Sequence, residues 1–213
     1  MPAIAPVSLR IGPASAGVSM CPDEFDAITE YDDSVNYELI NGVLVVTPMS
    51  SRFERSPNDL LGFWLHIYQD RHPEGACLVD TIFEEYVRTR SNRRRDDRVI
   101  WVARTGIPRT GIQPDPGIDI PTIVVEFVSP GKAAWRRDYM EKRDEYLEAG
   151  VVEYWVIDRF SRQLSVYALQ AGQPTERVVH ETETYRTDLL PGFELPLAAL
   201  LAAADKWRQA EQQ

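Results

Sequence analysis

The sequence predicts an α/β (α+β) fold in which a mixed central β-sheet is flanked by helices. Three observations carry this expectation. Short runs rich in Val, Ile, Tyr and Phe recur along the chain, bounded by Gly, Pro and Asn. Other stretches space their apolar residues at the helical interval. At 213 residues, without an internal repeat or a long linker, one domain with its own core accommodates all of them.

Residues 1–20 are rich in Pro, Ala and Ser without periodicity and read as a flexible N-terminal arm. The domain itself spans 21–200, and 201–213 form a C-terminal helical tail. "CPDEFDAIT" opens with an Asp/Pro start signal for a short helix. In "YELINGVLVVTP", Asn41-Gly42 separates two apolar runs, the pattern of a hairpin. From Ser56 to about Arg71, Leu60, Leu61, Trp64, Leu65 and Tyr68 recur at helical spacing. Ser56 is the expected N-cap and Pro57 the first helical residue.

"TIFEEYVRTR" and "RVIWVAR" read as strands joined by the Arg-rich turn "SNRRRDD". "GIPRTGIQPDPGIDIP" is a loop punctuated by Gly and Pro. The strand "TIVVEFV" and a helix over roughly 133–149 follow, with Gly150 as its stop. "VVEYWVID", "LSVYAL" and "ERVVHE" are further strands, and the chain closes on the helix of "LPLAALLAAADKWRQAEQQ".

Composition narrows the function classes. The net charge of −10 argues against a protein that coats nucleic acid nonspecifically, although a local basic groove is compatible with it. Cys21 and Cys77 lie far apart without metal-type spacing, which suits a reducing cytoplasm. No signal peptide and no apolar run long enough for a membrane span is evident, so a soluble cytoplasmic protein is expected. The histidines His66, His72 and His180 are scattered, and no Gly-rich phosphate loop occurs.

Four residues stand out for chemistry. Glu126 lies in the middle of "PTIVVEFVSP", an apolar run that reads as a buried strand. A carboxylate there needs a cation, a proton or hydrogen bonds to offset its burial. Asp97 opens the apolar strand after the arginines, and its plain alternative is a turn carboxylate paired with them. Glu38 adjoins the first hairpin and reads equally as a solvent-facing strand residue. Lys142 sits on an amphipathic helix, where most lysines are solvated.

Together they suggest a two-carboxylate metal site. Asp97 and Glu126 on neighbouring strands would hold Mg²⁺ or Mn²⁺, hard cations that take oxygen ligands and retain waters. Such an ion polarises a phosphoryl oxygen and acidifies bound water, while a nearby lysine stabilises developing charge.

"YELINGVLVV", "RRRDDRVIWV" and "IVVEFVSPGKAAWRRDYMEKRDEYLEAGVVEYWVID" resemble the large bacterial group of Uma-type restriction endonucleases, placed among PD-(D/E)XK nuclease-like folds. The similarity covers about residues 22–195. Its most specific pieces are Glu126, Ser129 and Pro130, the helix bearing Arg137, Asp138, Lys142 and Tyr146, and the Glu153-Tyr154-Trp155 strand. The resemblance implies a restriction-endonuclease-like sheet and assigns the family's metal-binding aspartate to Asp97, with Asp96 as the alternative. It assigns the strand glutamate to Glu126 and the early glutamate to Glu38. The standard lysine two residues after the glutamate is replaced by Val128. The resemblance assigns that role to Lys142, with Lys132 as a weaker substitute. The segment after the first hairpin, "MSSRFERSPND", lacks the histidine that relatives often carry there.

The resulting expectation is a Mg²⁺-dependent endonuclease that hydrolyses DNA. Glu38, Asp97, Glu126 and Lys142 would be its catalytic group, supported by Tyr146 and Tyr154. Arg93, Arg94 and Arg95 are the expected phosphate contacts, because arginine forks suit backbone phosphates. A solvated or internally paired arginine turn is their plain alternative. The competing reading of the whole is a catalytically degenerate nuclease-fold domain that binds nucleic acid or protein. Pairing of two copies, so that two sites reach two strands, is compatible with either.

Overall fold

The computed structural model describes residues 10–103, 105, 115 and 118–210, the side chains of 208–210 excepted. The chain enters through β1 (Arg10–Ile11), a single turn at Pro13–Ser15, the short helix α1 (Pro22–Asp26) and β2 (Glu30–Tyr31), with β1 parallel to β2. Ile11 and Met20 are buried against Tyr37, Leu39 and Leu44. Of the expected arm, residues 1–9 lie outside the described residues, but from Arg10 onward the chain is folded onto the domain. It buries single side chains rather than a periodic face, which is why its sequence carries no period.

The Asn41-Gly42 hairpin forms as its sequence indicates. β3 (Val35–Ile40) pairs antiparallel with β4 (Val43–Pro48), and both turn residues take positive φ, 51° and 76°, as a tight two-residue connection requires. Helix α2 (Arg52–Arg71) starts one turn earlier than expected. Ser51 is its N-cap and Glu54 closes a capping box, leaving Pro57 inside the helix. Its buried Leu61, Leu65 and Tyr68 contribute about 1.5–3 kcal/mol each by leaving water.

The arginine stretch is a strand rather than a turn. β5 (Leu78–Phe83) is followed by β6 (Tyr86–Arg88), β7 (Arg93–Arg95) and β8 (Arg98–Val102). β6 pairs with β7, β5 pairs with β8, and Leu39 of β3 is opposite Arg93. Two sheets therefore meet where β7 passes into β8, at Asp96-Asp97. One has the order β4-β3-β7-β6. The other adds β9 (Ile123–Phe127), β10 (Glu153–Asp158), β11 (Gln163–Gln170) and β12 (Gln173–His180) in the order β12-β11-β10-β9-β8-β5.

β9 and β10 are parallel, joined by a helical crossover. That crossover is not a uniform helix. α3 (Lys132–Arg136) leads into one wide π turn (Arg137–Glu141) and then α4 (Lys142–Ala149), ended by Gly150 at φ 103°. The chain closes with β13 (Thr184–Tyr185), β14 (Leu195–Pro196) and α5 (Leu197–Ala210). The tail expected from 201 is thus the continuation of a helix whose Leu197, Leu200, Leu201 and Ala204 enter the core beside α2.

Candidate active site

Strand alternation explains where Glu126 points. Ile123, Val125 and Phe127 of β9 join the core that includes α2 and α5. Val124 and Val128 join the opposite core, built with Tyr146 and Leu147 of α4. Glu126 shares the second face and so meets α4. There the Lys142 Nζ donates to Glu126 Oε1 at 2.8 Å and to Asp96 Oδ1 at 2.9 Å, and lies 3.8 Å from Glu38 Oε1. Its remaining contact is the Arg95 carbonyl at 3.4 Å. The Lys142 amine is held above the usual lysine range: burial opposes its charge, but Asp96, Glu126 and Glu38 outweigh that penalty. It is a buried ammonium whose protons are engaged by protein oxygens.

The neighbouring acids Asp96 and Asp97 have different fates. Asp96 is 1% exposed and receives both Lys142 and the Tyr146 hydroxyl, the latter at 2.6 and 2.8 Å to its two oxygens. Burial and the Asp96 charge hold Tyr146 well above the ordinary phenol range, so it donates as a neutral hydroxyl. Asp97 is only partly buried and lines a cavity of about 540 Å³ with Glu38, Glu54, Glu126, Arg137 and Lys142. The Phe127 N–H donates to its Oδ2 at 2.7 Å. Burial lifts the Asp97 carboxyl to about 7, against the Phe127 N–H and the Lys142 charge, while Glu54 and Asp96 push it further up.

The structure therefore brings Glu38, Asp97, Glu126 and Lys142 to one cavity. It also separates the two candidate aspartates: Asp97 faces the cavity, and Asp96 is consumed by Lys142 and Tyr146. Glu38 accepts the Arg95 N–H at 2.9 Å and lies 3.9 Å from Arg94. Tyr154 is buried edge-on against Tyr146, their ring centroids 5.2 Å apart.

Fit to a hard divalent cation rests on Glu126. Its Oε1 is taken by Lys142, but its Oε2 is buried and accepts no hydrogen bond among the described residues. Burial raises Glu126 well above the usual carboxylate range, Lys142 opposes this, and Asp97, Asp96 and Asp138 reinforce it. An unsatisfied carboxylate oxygen beside a second raised carboxylate is a place where positive charge is missing. Among the described residues no three His, Cys, Asp or Glu side chains converge into a metal cluster. Two carboxylates with water and substrate oxygens making up the rest is the arrangement Mg²⁺ commonly accepts.

The expected phosphate contacts need correction. Arg93 is 2% exposed, forked onto Asp26 and bonded to the Thr89 and Asn92 carbonyls. Arg94 is 3% exposed and donates to Glu145 at 2.9 Å. Both are buried and paired with acids distant in sequence, the internally paired alternative. Arg95 lies at the cavity margin with its guanidinium 2.9 Å from Glu84. The cavity's other arginines include Arg137, 4.0 Å from Glu126 and 2.8 Å from Asp138. Lys132, at the start of α3, is not part of the cavity lining.

Glu54 was not anticipated as a site residue. It receives Ser51 N–H and Oγ at 2.5 Å and Ser129 Oγ at 2.8 Å, tying the start of α2 to the end of β9. Its signal lay in "SRFE", a capping-box pattern.

Buried acids paired with a helix-borne lysine thus lie where two sheets meet on a restriction-endonuclease-like fold. Residues 22–198 match the family described as Uma2, "Putative restriction endonuclease", and the chain belongs to that family. The fold is similar to the crystal structure of "a putative nuclease belonging to DUF820" from Anabaena variabilis ATCC 29413. The TM-score is 0.69 at 16% identity, covering 87% of this chain and 99% of the other. No curated protein matches the sequence.

Proposed function

We propose that the protein is a divalent-metal-dependent endonuclease that hydrolyses phosphodiester bonds of DNA. The observation that carries this reading is the cavity shared by Asp97 and Glu126, with Glu126 Oε2 left without a partner beside it. Asp97 and Glu126 Oε2 would hold the ion. A bound Mg²⁺ or Mn²⁺ polarises the scissile phosphoryl group and acidifies a water.

The chain's own residues divide the remaining work. Lys142 fixes Glu126 through Oε1, which leaves the second oxygen for the ion. Asp96 holds Lys142 in turn and is itself held by the Tyr146 hydroxyl, both as positioning residues. Glu38, at the cavity wall, would accept a proton from the attacking water. Arg137 and Arg95 supply positive charge for the phosphates flanking the reacting one.

Calorimetric titration with Mn²⁺ tests the metal site. Wild type is expected to bind, and Asp97→Ala to lose at least about a hundredfold in affinity, with Mg²⁺-dependent nicking of supercoiled plasmid falling in parallel. Equal Mn²⁺ affinity in the two proteins would remove the site and leave a nuclease-shaped binding domain.

A further inference from the structure

A second cavity, of about 460 Å³, opens beside the catalytic one, and the two share Met49 and Arg95 in their walls. The chain that forms it is the folded entry segment together with the smaller sheet. Phe25, Tyr31 and Tyr86, with the buried Tyr37 behind them, are its aromatic residues, while Asp33 and the Arg93-bound Asp26 are carboxylates in its lining. Phe25 meets Tyr86 edge-on at 5.8 Å, and Tyr31 meets Tyr37 edge-on at 6.2 Å. The guanidiniums of Arg88 and Arg95 lie 5.3 and 5.8 Å from the centre of the Tyr86 ring. Tyr31 is 57% exposed, so its ring is open to a ligand at the cavity edge.

We propose that this cavity receives a nucleobase of the substrate strand, unstacked from its neighbours, next to the phosphate held in the catalytic cavity. The inference rests on the endonuclease reading above. The match is chemical. Aromatic rings stack on any base, arginine planes add cation–π attraction, and a carboxylate such as Asp33 accepts from exocyclic amino groups. Continuity is the second argument. The Arg95 main chain donates to Glu38 and accepts from Lys142 inside the catalytic centre, while its guanidinium turns toward Tyr86. One residue thus joins the wall that would hold the phosphate to the wall that would hold its base.

The test needs no cleavage. Wild type and Tyr31→Ala are titrated, in EDTA, with a short fluorescein-labelled single-stranded DNA and with the same strand carrying one abasic position. Tyr31 is exposed, so its truncation leaves the core intact; a second variant, Phe25→Ala, and circular dichroism of both check the fold. Expected is about a tenfold weaker Kd for Tyr31→Ala on intact DNA. The abasic strand is expected to weaken wild type similarly and to leave Tyr31→Ala with no further loss. Equal losses on intact and abasic DNA, no loss from either variant, or no binding of the strand by wild type would each overturn the proposal. If base-sensitive binding persists in a protein that neither binds Mn²⁺ nor cleaves, the endonuclease reading fails and the base pocket stands. If cleavage is metal-dependent but indifferent to the abasic position, the reverse holds.

Discussion

The two sides of the Asp96-Asp97 peptide bond contrast sharply although the residues are chemically near-identical. On one side Asp96 is sealed from water and fully engaged by Lys142 and Tyr146. On the other, Asp97 opens to a cavity, accepts from the Phe127 N–H and, at 3.5 Å, from the Ser50 hydroxyl, and has its carboxyl pushed up to about 7 by burial. The difference teaches that burial alone does not mark a reactive acid. A buried carboxylate enclosed by its own partners is scaffold; one that also borders a cavity is a candidate for a ligand.

The largest expected effect breaks the sealed side. Lys142→Met removes the cation from Asp96 and Glu126 at once and is expected to cost about 3–5 kcal/mol in urea denaturation. A loss under about 1 kcal/mol would mean that the pairing is not what holds these acids, and the contrast would dissolve.

The open side responds to pH instead. Asp97 ionises near 4 when unfolded and near 7 when folded, so the unfolded state loses its proton first. Metal-free stability therefore falls as pH rises from about 4 to about 7 and levels off above that, by about 1–3 kcal/mol. Asp97→Asn is expected to flatten that slope. Mn²⁺ is expected to raise the Tm more at about pH 8 than at about pH 5, because the ion requires the ionised acid. Thermal melts across this range, with and without Mn²⁺, check both statements.

A third comparison sets Arg137 against Arg94. Arg137→Gln is expected to lower the salt-dependence slope of DNA binding by about 1 and also to destabilise the fold, because the buried Asp138 loses its partner. Arg94→Gln, which leaves Glu145 with the Thr89 hydroxyl alone, is expected to lower stability by about 2–4 kcal/mol and to leave that slope unchanged. The smallest effect is that of Ser129→Ala: losing the bond to Glu54 is expected to cost about 0.5–1.5 kcal/mol in denaturation.

Much of this was legible in the sequence. The Asn41-Gly42 turn announced its hairpin, and Glu126 stood out because an apolar run gives a charge nowhere to hide. The choice between Asp96 and Asp97 was not legible, since it depends on which one meets Lys142 and Tyr146 about fifty residues later. Arg93 and Arg94 misled for the same reason. Their partners, Asp26 and Glu145, lie far away in the chain, so local charge density suggested a solvated turn where the fold builds a strand. Tertiary pairing overrides local pattern in both cases. The π turn left no trace because the apolar spacing runs through it.

That turn carries a consequence of its own. An α-helix advances about 100° per residue, and the wide turn at Arg137–Glu141 absorbs extra chain without ending the helix. It thereby sets the rotational phase at which α4 begins. Dropping a single residue there would leave a regular helix with Lys142 swung roughly a quarter-turn off Glu126. The crossover works as an indexing mechanism, and a length change too small to disturb the sheet would be enough to disarm the centre.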